Sequence, residues 1–161
     1  EPDLLDASLH GREQDLEWNT RVTAVVVPNP NLSQGQQAII ASDYGRSRHF
    51  YHQVLGLPIL AETLREARQS WKLDLALPDG GQLELFSFPT PPARPSRPEA
   101  CGLRHLAFRV PALDPVIAHL ERHGVAVEPV RVDELTGSRF TFFADPDGLP
   151  LELYEVDAES A

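Results

Sequence analysis

An eight-residue pattern that occurs twice constrains the fold of this chain more than any other feature. The pattern P-D-G-x-x-L-E-L covers residues 78–85 and recurs at residues 146–153. The same repeat aligns Gly56 with Gly124, and each of these glycines follows a helix-like stretch. Since a sequence repeat of this length is typical of a duplicated supersecondary unit, we expect two similar modules in one chain.

Equivalent strand positions of the two modules carry side chains with oxygen or nitrogen ligand atoms, since Gln36 aligns with His105 and Glu84 with Glu152. Because side chains alternate along a strand, all four are expected on the sheet face opposite the helices. Two carboxylates in one cavity repel each other unless a cation lies between them. The pattern therefore predicts a divalent metal site, suited to Zn²⁺, Ni²⁺, Co²⁺, Mn²⁺ or Mg²⁺.

Each module is expected to form a strand, a helix and three further strands, which gives an α+β fold. A helix after Ser42-Asp43 should end at Gly56, and a second helix should end at Gly124. The Pro-rich segment 89–98 predicts a stiff linker between the modules. The expected strands are 38–41, 57–64, 71–77 and 82–88 in module one, and 103–110, 125–132, 139–144 and 149–156 in module two.

The repeat also sets the expected domain boundaries. Residues 1–35 contain an apolar run at 22–27 but nothing that recurs, so we interpret them as an N-terminal extension without an assigned role. Residues 36–157 form the domain, with module one at 36–88, the linker at 89–100 and module two at 101–157.

Composition excludes several classes of partner. The net charge is −10 and the basic residues form no run, so nucleic acid is not an expected partner. No apolar stretch approaches the roughly 18 residues of a membrane-spanning helix. Cys101 is the only cysteine, which excludes an internal disulfide and fits the reducing cytoplasm, and the first residues do not form a secretory signal.

The motifs of residues 38–155 resemble the vicinal oxygen chelate superfamily, which includes glyoxalase I, bleomycin-resistance proteins and extradiol dioxygenases. The bacterial YaeR-type, glyoxalase-like subgroup is the most similar. The resemblance implies paired βαβββ modules, a curved, cup-shaped mixed sheet and a homodimer. The motifs that carry it are AIIASDY at 38–44, FYHQVLG at 50–56, REARQSWK at 65–72, ELFSF at 84–88, RPSRPEACGLRHLAF at 94–108 and FFADPDGLPLELYE at 142–155.

The resemblance also implies a ligand set and a reaction. Bacterial relatives carry a His-His pair where this chain has Gly35-Gln36, whereas eukaryotic-type glyoxalase I has Gln-Gln and binds its metal through Gln, Glu, His and Glu. The implied ligands here are Gln36, Glu84, His105 and Glu152.

The implied substrate is a small molecule with two adjacent oxygens, such as the hemithioacetal of a 2-oxoaldehyde. Glu152 would remove a carbon-bound proton next to its carbonyl, while the metal stabilises the enediolate. Glu84 would remain a ligand or act as a second base. The function that the resemblance implies is that of a metal-dependent lyase or isomerase.

A basic cluster in an otherwise acidic chain is the candidate substrate contact. Arg65, Arg68 and Lys72 are either solvated loop charges or groups that bind a substrate carboxylate or phosphate. Trp71 and Phe86 are candidates to line the cavity, although aromatic residues in strands more often belong to the core.

Two other functions are compatible with such a fold. A non-catalytic protein of the bleomycin-resistance type would sequester a ligand between the same sheets, but a purely binding cavity has little use for the paired carboxylates. A ring-cleaving dioxygenase normally needs a His, His, Glu iron triad, and Gln36 does not supply its first histidine.

Overall fold

The computed structural model describes residues 35–156, which form two four-stranded mixed sheets. The strands are β1 Gln36–Ala41, β2 Ile59–Arg65, β3 Ser70–Ala76, β4 Gln82–Ser87, β5 Leu106–Val110, β6 Arg131–Val132, β7 Arg139–Ala144 and β8 Pro150–Glu155. Sheet one has the order β1-β4-β3-β2 and sheet two the order β5-β8-β7-β6. In each sheet the first and last strands of the module pair in parallel, and the remaining pairs are antiparallel. The predicted α+β fold is confirmed.

The two helices occupy equivalent places in their modules. Helix α1, Tyr44–Arg48, begins after Asp43, whose side chain accepts a hydrogen bond from the backbone N–H of Arg46 at 2.9 Å. It continues as a π-helical segment, His49–Val54. Helix α2 spans Leu113–Arg122. Gly56 and Gly124 follow with φ angles of 74° and 73°, a left-handed backbone that glycine adopts without steric cost.

Two of the expected strands of module two, 103–110 and 125–132, differ from the structure. The expected strand 125–132 is wrong, because only β6 at its end pairs regularly and a single bridge joins Val127 to Phe143. Pro129 lies within the expected strand and has no N–H to donate to a neighbour. Strand β5 begins at Leu106, so His105 directly precedes its strand.

One apolar core joins both modules. The buried face of sheet one contributes Leu73 and Leu85, and that of sheet two contributes Leu151 and Leu153. The helical segments supply further core residues, including Phe50, which packs against Phe143 with ring centroids 6.3 Å apart. Because both sheets turn their apolar faces to this shared core, each has an opposite face directed away from it. We call the latter the open face of sheet one or sheet two.

A buried polar contact also ties the modules together. The hydroxyl of Tyr51, in the helical segment of module one, donates to Asp145 Oδ2 in module two at 2.8 Å.

Within residues 35–156, no helix is long and apolar enough to span a membrane. Residues 1–34, with the apolar run 22–27, and residues 157–161 lie outside the described part of the chain.

Candidate metal and substrate site

The most unusual polar side chain of sheet two is His105. It is 5% exposed, and its ring meets Phe142 edge to face with centroids 5.3 Å apart. Nε2 lies 3.2 Å from Glu152 Oε2, but the geometry is not that of a hydrogen bond, and among the described residues neither ring nitrogen has a hydrogen-bond partner. Since an unpartnered buried polar group is costly, this imidazole is suited to bind a cation beside Glu152.

Glu84 has a different environment on the open face of sheet one. It is 6% exposed, and its Oε1 lies 2.6 Å from Lys72 Nζ, which also forms an ion pair with Asp74. The hydrogen bonds to Asp74 and then to Glu84 raise the pKa of Lys72 above its ordinary value. The ammonium of Lys72 is therefore held by two carboxylates of its own sheet, which does not support the expected contact of Lys72 with a substrate anion.

The strand registers place the four expected ligands at equivalent positions. Glu84 pairs with Ala38, which lies two residues after Gln36. In the same way, Glu152 pairs with Ala107, which lies two residues after His105. Gln36 is exposed at the start of β1, and both β1 and β5 are edge strands. The repeat thus gives each open face one edge residue and one carboxylate.

One chain does not bring these groups together. Among residues 35–156, no three or more His, Cys, Asp or Glu side chains lie where they could hold a metal ion. Glu84 belongs to the open face of sheet one and Glu152 to that of sheet two, and both faces point away from the shared core. We call Gln36 with Glu84 half-site one, and His105 with Glu152 half-site two. The described residues of one chain therefore show no such cluster, and both a site within one chain and a site shared by two chains stay predictions.

Two of the remaining expected substrate residues lie beside half-site one. Phe86 follows Glu84 by two positions on β4 and points to the same open face. The guanidinium carbon of Arg65 lies 5.3 Å from the centroid of the Phe86 ring, and Lys72 Nζ lies 5.9 Å from it. The structure therefore brings Arg65, Lys72 and Phe86 together next to Glu84.

The other two expected residues do not join this group. Trp71 precedes Lys72 on β3, so it points to the opposite face, where its ring stacks on Tyr44 with centroids 5.4 Å apart. Arg68 is exposed in the short 3₁₀ turn Glu66–Arg68. Trp71 therefore lies on the face of sheet one opposite Glu84, and its expected contact with a substrate stays a prediction.

The two open faces differ in chemistry although their backbones are equivalent. Asp74 pairs with Glu84 across β3 and β4, whereas Phe142 pairs with Glu152 at the equivalent place in sheet two. Arg131 lies over Phe142, with its guanidinium carbon 5.3 Å from the ring centroid. Sheet one is therefore charged around its acid, and sheet two is aromatic.

Three neighbours of the expected ligands were not predicted: Asp74, Phe142 and Arg94. Asp74 and Phe142 could have been found by pairing the strands across the Asp-Gly turns, since a short hairpin turn sets the register. Arg94, in the Pro-rich linker, donates to the backbone carbonyls of Leu103 and of Arg104, the latter at 3.1 Å, directly before His105. No sequence pattern indicates that contact.

Two βαβββ modules in one chain, each with an acidic group on an open sheet face, define a protein of the vicinal oxygen chelate class. Residues 33–153 match the Glyoxalase/Bleomycin resistance protein/Dioxygenase superfamily, and the chain belongs to it. The family predicted from the motifs is confirmed.

Close relatives share most of the domain. The chain is 64% identical over 118 residues to the "uncharacterized protein YaeR" of Escherichia coli (strain K12), covering 73% of this chain and 92% of that protein. It is 58% identical to the "uncharacterized protein YwkD" of Bacillus subtilis (strain 168), with the same coverage of 73% and 92%. Among solved structures, a glyoxalase family protein from Enterococcus faecalis is 51% identical with a TM-score of 0.70, covering 74% of this chain and 94% of that one.

Proposed function

We propose that the protein is a metal-dependent lyase or isomerase of the glyoxalase type, active as a homodimer. In this arrangement, half-site one of one chain faces half-site two of a second copy, and each dimer holds two complete sites. The observation that carries the proposal is the buried imidazole of His105. Its two ring nitrogens lack hydrogen-bond partners among residues 35–156, while the Glu152 carboxylate lies beside it. A cation at this place would give both groups the partner that the described chain does not provide.

The donor set suits a divalent ion. Gln36, Glu84, His105 and Glu152 would hold it through an amide oxygen, two carboxylates and one imidazole nitrogen, a combination that Zn²⁺, Ni²⁺, Co²⁺, Mn²⁺ and Mg²⁺ accept with different affinities. When bound, such an ion supplies Lewis acidity that stabilises negative charge on two neighbouring substrate oxygens.

The protein groups divide the remaining work. Glu152 is the proposed base that accepts a carbon-bound proton next to the substrate carbonyl, because its side chain is 12% exposed and pairs with His105 alone among the described residues. Glu84 is the proposed ligand rather than the base, since Lys72 stabilises its negative charge. The aromatic rings of Phe140 and Phe142 would exclude water from the apolar part of the substrate.

The alternative is a protein that sequesters a ligand without chemistry. The aromatic open face of sheet two would suit such a ligand. However, a binding cavity for an apolar molecule gains nothing from a buried histidine and two carboxylates, each of which is costly to desolvate. The lyase or isomerase therefore has the stronger support.

The test combines metal reconstitution with a substrate panel. Purified protein is loaded with each of the five metals and assayed with hemithioacetals formed from 2-oxoaldehydes and several thiols. We expect Glu152→Gln to retain the fold and much of the metal and to lose about 100-fold or more in kcat, the usual contribution of a general base. The exposed Glu121→Gln, on α2, is the control and should match the wild type.

Two results would contradict the proposal. Unchanged turnover in Glu152→Gln rules out Glu152 as the base. If no metal remains bound after reconstitution, or if the protein is monomeric by light scattering while still active, then the shared metal site is wrong.

A further inference from the structure

We infer that the substrate of the proposed site carries an anionic group, such as a carboxylate, which binds to Arg65 where its guanidinium lies over the Phe86 ring. This inference rests on the proposed function and adds the chemical class of its substrate. Two cations on the same open face, Lys72 and Arg65, have different neighbours.

Arg65 is a partly buried arginine without an acidic partner in the part of the chain that the structure describes. Among residues 35–156, Lys72 forms ion pairs with Asp74 and Glu84, whereas no carboxylate lies within ion-pair distance of Arg65. This is unexpected in a chain with 24 acidic and 14 basic residues. The described contact of its guanidinium is with the Phe86 ring, at 5.3 Å from the centroid. A guanidinium supported by an aromatic ring keeps N–H groups that can bind a planar anion with two hydrogen bonds.

Arg65 lies close to the proposed metal site, because the ring under its guanidinium belongs to the same strand as Glu84. Phe86 and Glu84 lie two residues apart on β4 and share a face, which corresponds to about 7 Å along the strand. A small molecule that chelates an ion at Glu84 through two oxygens would therefore extend along β4 toward Arg65. An anionic group three or four bonds from the chelating oxygens would meet the guanidinium.

The arginine that lies over aromatic rings on sheet two does not offer the same contact. Arg131 also lies over aromatic rings, 5.0 Å from the Phe140 centroid, but its guanidinium pairs with Glu128 at 3.1 Å. Its charge is thus compensated, and the surrounding face is aromatic. The charged end of the substrate is therefore assigned to sheet one and its apolar part to sheet two.

The experiment compares two bidentate probes that differ in one carboxylate. Acetohydroxamate and succinic monohydroxamate both chelate a metal through neighbouring oxygens, and only the second carries a free carboxylate. Binding to the zinc-loaded protein is measured by calorimetry. We expect the wild type to bind succinic monohydroxamate about tenfold more tightly, in line with a charge-assisted pair. In Arg65→Met this preference should disappear while the affinity for acetohydroxamate stays unchanged.

Matched variants separate charge from geometry. Arg65→Lys should keep only part of the preference, because an ammonium cannot bind a carboxylate through two parallel hydrogen bonds. Arg122→Met, at an exposed position of α2, removes the same charge far from β4 and should keep the wild-type preference. Circular dichroism and metal content confirm that each variant is folded and loaded.

The failure of the inference differs from that of the proposed function. Equal affinities for the two probes in the wild type, or a preference that survives in Arg65→Met, would overturn the role of Arg65 and leave the metal site standing. If neither probe binds to protein that has been treated with zinc, the proposed site is wrong and the inference falls with it.

Discussion

Removing the hydrogen bond between Tyr51 and Asp145 tests whether the two modules pack through this buried contact. Tyr51 is 0% exposed and Asp145 5% exposed, and the bond of 2.8 Å joins residues 94 positions apart. Burial, followed by the charge of Asp145, raises the pKa of Tyr51, so the phenol stays protonated and donates. Tyr51→Phe removes this donor together with one oxygen atom and leaves the ring in place.

The size of the effect follows from what Asp145 retains. Its Oδ1 still accepts the backbone N–H groups of Asp147 at 2.9 Å and Leu149 at 2.8 Å, so the carboxylate keeps two partners. The loss is therefore that of one hydrogen bond to a buried charge, which contributes about 1.5–3 kcal/mol. We expect the free energy of unfolding to fall by roughly 2 kcal/mol.

Urea unfolding measures this loss, and Tyr44→Phe is the matched control. Tyr44 also donates to a carboxylate, that of Glu62, but at the surface, where the loss should be below about 1 kcal/mol. The m-value should not change in either variant. If Tyr51→Phe destabilises the chain no more than Tyr44→Phe does, the buried contact between the modules is not present in solution as described.

Two further predictions concern the linker and the surface. Arg94→Met should weaken zinc binding several-fold in a competition titration with a chelator, because Arg94 holds the backbone directly before His105. The control, Arg97→Met at an exposed position, should bind zinc as the wild type does. Equal zinc affinities of Arg94→Met and the wild type would exclude this positioning role. A hydrogen bond from Tyr44 lowers the pKa of Glu62, so the stability that depends on the charge of Glu62 is lost as the pH falls through that lowered value. Glu62→Gln should therefore lose less stability than the wild type on acidification below about pH 4.5. Unfolding midpoints between pH 6 and pH 3 that run parallel in wild type and variant would contradict it.

Local signals were sufficient to predict most of the fold. The cap at Asp43 and the glycine at 56 depend on neighbouring residues alone, and both were predicted correctly. Strand β7, Arg139–Ala144, has the predicted bounds. The strand expected at 125–132 failed because apolar, β-branched composition favoured a strand while Pro129 interrupts its pairing.

The candidate site was less accessible to sequence reasoning. The repeat identified Glu84 and Glu152 as equivalent, and the registers agree with that alignment. The ion pair of Glu84 with Lys72 depends on the register of β3 against β4, and the contact of Phe142 with His105 depends on packing between distant segments. A sequence repeat also does not show whether the two modules of one chain form the site together or whether modules of two copies form it. Both arrangements use the same residues.

Divergence between the duplicated modules explains why the two acids are unequal. In sheet one, Lys72 neutralises Glu84 with a charge that the protein itself supplies. At the place equivalent to Lys72, sheet two has Phe140. Among residues 35–156, Glu152 therefore has no Lys or Arg partner, and its near neighbour is the imidazole of His105, which has no hydrogen-bond partner there. In the proposed site, half-site two is therefore the place where a bound cation would find acidic and imidazole groups that no charge of the described chain already compensates. This difference in neighbours agrees with the proposed roles, in which Glu152 accepts the proton and Glu84, already paired with Lys72, remains a ligand.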